Sequence, residues 1–298
     1  MSVNIHLGSW QDTLDGAGPA RVADASVRLL LTSPPYDNAR TYEVTQIEPV
    51  DFDALARFAL RALMPGGVLA MVLDGAINDG EQSTTPYRVI CDWAALKGWR
   101  LLQVLAYGRT GAPGAYKGRF RKDHEPLILF VKDGADHVCV KSRIASASKH
   151  DLVSRVGIAG ARKRDGTIEK FGVSSKGVER VPENIRHRGS FWDYGMVGNG
   201  QDASSSTGHP ATFAERFALD AVHVWSNPGD LVCDTYSGSG TVAKACRDLD
   251  RSFVGAERVP LYHEMSLRRL DPTHISEARA QEPVGPLFGG GPTREAAK

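Results

Sequence analysis

The chain has 298 residues, 42% of them hydrophobic and 24% charged, and its 36 Lys/Arg nearly balance its 35 Asp/Glu, leaving a formal net charge of +1. That is enough apolar material for one large core, or a core plus a subdomain, and the balance excludes a uniformly basic surface, so any nucleic-acid-binding surface must be local. No apolar run is long enough to span a membrane and no signal peptide is visible, while four scattered cysteines (Cys91, Cys139, Cys233, Cys246) without a CxxC pair support neither a disulfide framework nor a zinc site, so a cytoplasmic, metal-free protein is expected.

Taken in order, residues 3–8 read as a strand ending at Gly8, and 12–25 as a short helix and loop. Residues 27–31 form the next strand, and Thr32-Ser33-Pro34-Pro35-Tyr36 ends it. Each proline fixes its own φ, removes a backbone donor and pushes the preceding residue out of the helical region. The outcome is a stiff, extended corner carrying carbonyls, a hydroxyl and a flat ring. Such a corner suits a planar group with an exocyclic amine; a strand that merely ends in a Pro-Pro turn would carry the same letters.

The polar stretch 37–42 could close over a site or be an ordinary solvated loop. Apolar residues at helical spacing (Phe52, Leu55, Ala56, Ala59, Leu60, Leu63) predict a helix over 52–63, stopped by Pro65-Gly66-Gly67. A buried strand follows over 68–74, a helix over 87–97 and strands over 99–107 and 127–131. Trp93 and Trp99 read as core. Between the last two strands, Arg109, Lys117, Arg119, Arg121 and Lys122 are five cations with no acid among them, interleaved with glycines, Tyr116 and Phe120. A solvated loop is one reading; contact with a phosphate backbone is the favoured one.

Residues 134–206 show no sustained core periodicity. From 133 to 202 there are 12 Lys/Arg against 9 Asp/Glu, with clusters at Arg162-Lys163-Arg164 and Arg186-His187-Arg188. A helix is predicted over 214–224. Then Gly229-Asp230-Leu231-Val232-Cys233-Asp234-Thr235-Tyr236-Ser237-Gly238-Ser239-Gly240-Thr241 reads as a strand, a glycine loop and a helix start, an arrangement that brings backbone close to a bound ligand. It is not a phosphate loop of the GxxxxGK[ST] kind, because no lysine follows Gly240. The next strand, 252–257, ends in Glu257, where an acid commonly bonds ribose hydroxyls. A helix over 262–270 follows, and 277–298 reads as a disordered tail.

Thr32-Ser33-Pro34-Pro35-Tyr36 together with Asp234-Thr235-Tyr236-Ser237-Gly238-Ser239-Gly240-Thr241 resembles the S-adenosylmethionine-dependent amino-methyltransferases of DNA, which methylate N4 of cytosine or N6 of adenine. The catalytic motif precedes the cofactor motif, as in the permuted beta class, and the likeness runs from about residue 5 to about 270. It implies an α/β, doubly wound, mostly parallel sheet formed by 1–133 and 207–276, with 134–206 as a target-recognition insertion. The catalytic strand and cofactor strand should lie close together.

The resemblance also implies roles. Ser33, Pro34, Pro35 and Tyr36 would be catalytic, with Asp74 near the site. Asp234, Tyr236, Gly238, Ser239, Gly240, Thr241 and Glu257 would bind the cofactor, joined by Pro210, Ala211, Thr212 and Phe213 of the motif that starts at His209. Ser9 stands where the family usually has an acid to meet adenine, so Ser9 or Asp12 takes that contact, or stacking replaces it. His124-Glu125 resembles a motif flanking the target-base pocket. Arg109, Lys117, Arg119, Arg121, Lys122, Arg162, Lys163, Arg164, Arg186 and Arg188 are the candidate DNA contacts.

The partner implied is double-stranded DNA, with the target base flipped out of the stack. Serine at position 33 leans the target to cytosine N4, with adenine N6 as the runner-up. RNA methylation, or binding of nucleic acid without catalysis, are the readings from other classes. A homodimer is compatible with the chain. No nuclease signature is visible, so a cognate restriction endonuclease is not evident and modification alone is the simpler reading.

Overall fold

The structure is a computed structural model that describes residues 1–35, 49–78, 80–108, 118, 120, 122–144, 146–147, 159–162, 167–171, 185–186, 188–194 and 213–271. Six α-helices are described: α1 (Trp10–Thr13), α2 (Phe52–Ala62), α3 (Thr85–Ala94), α4 (Glu215–Trp225), α5 (Thr241–Asp248) and α6 (Pro260–Leu270), with one 3-10 turn at Lys141–Ile144. Strands β1 (Val3–Leu7), β2 (Val27–Thr32), β3 (Leu63–Val72), β6 (Trp99–Gly108), β7 (His124–Lys132), β12 (Phe191–Asp193), β13 (Leu231–Asp234) and β14 (Ser252–Glu257) form one sheet. Three two-stranded ladders stand apart: β4 (Ile77–Asn78) with β5 (Glu81–Gln82), β8 (Ser146–Ala147) with β11 (Ile185–Arg186), and β9 (Ala159–Arg162) with β10 (Ile168–Phe171).

The eight-stranded sheet has the order β1-β14-β13-β2-β3-β7-β6-β12. Neighbours from β1 to β3 are parallel, β7 runs antiparallel to both β3 and β6, and β12 is parallel to β6. Strands with helices on both faces must bury both sets of side chains, so they read as near-continuous apolar runs. In β2, Leu29 and Leu31 join one core cluster with Phe217, Ala221 and Val242 of α4 and α5; Leu30, between them, joins another with Leu55, Phe58 and Trp93 of α2 and α3. Trp93 and Trp99 sit in that second core with ring centroids 5.2 Å apart, as their apolar setting predicts.

Local chemistry sets the element ends. The Asp51 carboxylate caps α2 by accepting from the Ala54 N–H at 2.8 Å. The Pro65-Gly66-Gly67 triplet, expected to separate helix from strand, instead lies inside β3, which begins at Leu63 directly after the helix. Gly66 has φ +72, and a Cβ there would meet the Asp136 carbonyl oxygen at 2.3 Å. The pairing of β2 with β3 shifts register between Val27 and Leu29, so the triplet acts as an irregularity within a strand.

The expected insertion 134–206 is described only in pieces, and described residues from its start and from 191–193 join the sheet and its helices. Val140 N–H donates to the Val224 carbonyl at 3.0 Å, and Arg143 donates to the carbonyls of His223 and Ser226 at 2.8 and 2.6 Å. At the other end β12 is the edge strand of the sheet. The tail over 277–298 lies outside the described residues.

Candidate active site

Parallel strands point their carboxyl ends the same way, and ligands in open α/β sheets bind at that edge. Here four adjacent carboxyl ends converge: Gly8 to Trp10 after β1, Glu257 at the end of β14, the Asp234 loop after β13, and Thr32 to Pro35 after β2. The catalytic and cofactor strands are direct neighbours, with Leu29 opposite Val232 and Leu30 opposite Cys233.

The two strand ends are tied by a buried polar cluster. The Thr32 hydroxyl donates to Asp234 Oδ1 at 2.8 Å and lies 2.9 Å from the Thr235 hydroxyl; the Tyr236 N–H also donates to Asp234 Oδ1, at 3.0 Å. Burial pushes the Asp234 carboxyl up to about 7, although the Tyr236 N–H and the Thr32 hydroxyl both hold it down. Ser33 and Pro35 are half-buried and Pro34 is buried, whereas Tyr36 lies outside the described residues.

The glycine loop is held from the β14 side. Gly238 N–H donates to Glu257 Oε2 at 2.7 Å and Ser237 N–H to the Ala256 carbonyl at 2.9 Å. Glu257 Oε1 accepts from the Val259 N–H at 2.8 Å. The Arg258 N–H also bonds this carboxylate, and with about four acceptor sites the group can still accept from a ligand hydroxyl. Burial raises the Glu257 carboxyl above its ordinary range against the pull of these N–H groups. Gly255 lets the loop approach β14, because a Cβ there would meet Ser237 Oγ at 2.1 Å. Gly240, at φ +78, turns the chain into α5.

On the far side of the loop stands Arg269 of α6. Its Nη1 donates to the Ser239 carbonyl, the Ser239 hydroxyl and the Thr241 hydroxyl at 3.3, 3.1 and 2.9 Å, and its Nη2 to Glu215 Oε1 at 2.8 Å. Lys244 Nζ donates to the other oxygen of Glu215 at 3.1 Å. Sequence reading missed Arg269 and Glu215. Helical position alone gives no sign that a charge turns inward.

The remaining expected residues fall as follows. Ser9 caps α1, its hydroxyl accepting from the Asp12 N–H at 3.2 Å and donating to Asp12 Oδ2 at 2.5 Å, so Ser9 and Asp12 form one unit beside the β1 end. Tyr236 OH accepts from Trp10 Nε1 at 3.0 Å. Phe213 packs edge-on to Tyr107, and the Tyr107 hydroxyl accepts from the Ala214 N–H at 3.2 Å. Pro210, Ala211 and Thr212 lie outside the described residues, as do Arg109, Lys117, Arg119, Arg121, Lys163 and Arg164; of Arg162 and Arg186 only the backbone, in β9 and β11, is described.

Two of the candidate DNA contacts have partners within the protein. Lys122 Nζ pairs with the Asp74 carboxylate and donates to the Gly75 carbonyl at 3.0 Å, next to the end of β3. Burial holds the Asp74 carboxyl above its ordinary range, with Lys122 opposing. Arg188 donates to Asp220 Oδ2 at 2.8 Å and to the Tyr194 hydroxyl, and its guanidinium lies 4.8 Å from the Tyr194 ring centroid.

A DNA methylase family model, of the N6/N4 type, matches residues 27–268. The chain belongs to this family. Orphan methyltransferase M.BamHII of Bacillus amyloliquefaciens is 27% identical over 256 residues, covering 84% of this chain and 90% of the relative. Among solved structures, PvuII DNA methyltransferase (cytosine-N4-specific) superposes with TM-score 0.64 at 17% identity, covering 94% of this chain and 90% of that one. The M1.HpyAVI–SAM complex superposes with TM-score 0.54 at 19% identity, over 89% and 98% of the two chains. The amino-methyltransferase family uses S-adenosylmethionine and acts on DNA, and the mixed α/β sheet is its fold. Among the described residues no helix is long and apolar enough to cross a membrane.

Proposed function

We propose that the protein transfers a methyl group from S-adenosylmethionine to the N4 amine of cytosine in double-stranded DNA, after the base is flipped from the helix. The observation that carries this reading is Ser33, at the carboxyl end of β2 beside the Asp234 strand end. Within this family serine at that position leans to cytosine and aspartate to adenine.

Bound S-adenosylmethionine supplies an electrophilic methyl on a sulfonium. The crevice fits it: a glycine loop at a helix start, carrying half-buried Tyr236, and a strand-end glutamate able to accept from a hydroxyl. The target amine is a poor nucleophile because its lone pair is delocalised into the ring. The Ser33 hydroxyl and Pro34 carbonyl accept its two N–H bonds and favour the pyramidal form that the transition state needs. Tyr36 stacks on the base and sets the line of attack. A serine is too weak a base to ionise the amine first, so the proton passes to solvent only after the N–C bond has formed, and the sulfonium, having lost its methyl, would leave as a neutral thioether. The cationic stretch 109–122 and the segment 134–206 hold and read the DNA, and modification without a partner nuclease is the simplest biological setting.

The test is incubation with isotope-labelled S-adenosylmethionine and, in separate reactions, mixed genomic DNA and total cellular RNA, followed by nucleoside mass spectrometry. Labelled N4-methylcytosine is expected, falling about a hundredfold or more in Ser33→Ala and in Tyr36→Ala. Labelled N6-methyladenine would overturn the base assignment and keep the rest. Label in RNA alone, or in neither polymer, would overturn the substrate.

A further inference from the structure

We propose that Arg269 is a positioning residue for the cofactor site: it clamps the glycine loop to the start of α4, so that one guanidinium sets the loop against that helix. The inference rests on the 235–241 loop being the cofactor loop.

The loop has two flanks. Its Gly238 end is held by Glu257 and β14. Its Ser239–Thr241 end has three oxygens turned toward α6, and Arg269 Nη1 donates to all three, while Nη2 reaches Glu215 at the first turn of α4. Glu215 stands two residues after Phe213, so the same guanidinium fixes both the glycine loop and the segment bearing Phe213. Ser239 and Thr241 are buried, at 3% and 5% exposed, and the Arg269 side chain is 9% exposed. Water therefore does not readily replace a lost donor.

Arginine fits this position because its planar fork presents several donors in fixed directions, whereas a lysine ammonium is a single compact point on a flexible stem. Arg269→Lys keeps the charge opposite Glu215 but loses the fork. The loop then samples geometries that do not bind, and apparent affinity falls by the fraction of time it is competent. If one molecule in ten is competent, the dissociation constant rises tenfold.

The experiment is calorimetric titration of the full-length protein with S-adenosylmethionine. Arg269→Lys is expected to raise Kd about tenfold or more, with kcat at saturating cofactor within about twofold of the parent. Lys244→Met is the control: it removes the other ion pair of Glu215 without touching the loop, and its Kd should stay within about twofold. A parental Kd in Arg269→Lys overturns the proposal, as does an equal rise in both variants, which would trace the effect to helix packing. Hydrogen exchange of the parent, with and without cofactor, separates this from the loop assignment. Unchanged exchange over 235–241 overturns the loop assignment and the proposal together. Protection there, beside a parental Kd in Arg269→Lys, overturns the proposal alone.

Discussion

Thr32 and Asp234 are 202 residues apart in sequence and joined by a 2.8 Å hydrogen bond in the core of the sheet. One belongs to the catalytic corner and the other to the cofactor loop, and both side chains are buried. Thr32→Val keeps the shape of the side chain and removes the donor, leaving Asp234 Oδ1 with the Tyr236 N–H alone. A loss of about 1–3 kcal/mol in urea unfolding is expected, with Thr32→Ser recovering most of it. Equal stability of the Val variant and the parent would mean that the bond contributes nothing net.

Asp234 should make stability fall as pH rises. Its carboxyl sits near 7 when folded, against an ordinary value of 3.8, because burial disfavours the charge more than the Thr32 and Tyr236 donors favour it, and Glu257 adds repulsion. Between those two values the folded chain holds the proton and the unfolded chain does not, so each step up in pH favours unfolding; above about 7 the effect is complete. At full strength the difference corresponds to roughly 4 kcal/mol. Asp234→Asn can still accept from Thr32 and Tyr236 and has no charge to bury. Its unfolding free energy should change less than the parent's between pH 4.5 and 8, and parallel curves would contradict this origin.

Gly255→Ala should damage the loop that it underlies. The new methyl would meet Ser237 Oγ at 2.1 Å and the Phe253 ring at 2.8 Å. Overpacking of this kind destabilises by about 1–3 kcal/mol. Adding Ser237→Ala removes one of the two clashes, so the double variant should be more stable than the sum of the singles by about 0.5 kcal/mol or more. Additive losses would place the strain elsewhere.

Lys122→Met tests the pair at the end of β3. Burial already holds the Asp74 carboxyl above its ordinary range, and Lys122 opposes that. Without the lysine the carboxyl rises further, so the variant's deficit relative to the parent should grow as pH rises through the range where Asp74 ionises in the parent. Once pH has passed the higher range where Asp74 ionises in the variant, the deficit is expected to level off at about 1–3 kcal/mol. Asp74→Asn in the same background should relieve most of it; a deficit independent of pH would exclude the ion pair as its cause.

How much of this was legible depends on what signal each feature leaves. The parallel strands were, because burial on both faces writes runs such as Leu29-Leu30-Leu31 and Val68-Leu69-Ala70 without interruption. The adjacency of the two motifs followed from the family likeness. The Pro65-Gly66-Gly67 triplet misled, since turn letters also mark strand irregularities. β12 carried too few residues for a periodic signal. Arg269 follows another arginine in a helix that also bears His263 and Glu264, and only the tertiary path of α6 turns it toward Ser239. Lys122 and Arg188 are cations in basic surroundings, yet the acids that meet them, Asp74 and Asp220, are 48 and 32 positions away.

The order of the sheet has a consequence for synthesis. β13 and β14 slot between β1 and β2, so among the described strands the first two in chain order are separated by the last two. A chain halted on the ribosome near residue 200 would already contain Thr32 and the proline corner, but neither Asp234 nor Glu257. Its first two strands would expose unpaired edges, and such edges recruit other chains. Closing the gap requires contacts over more than 200 residues, which is slow for entropic reasons. Emergence of β13 and β14 is therefore the event that completes the sheet, and termination before them would yield a sticky fragment rather than a weak enzyme.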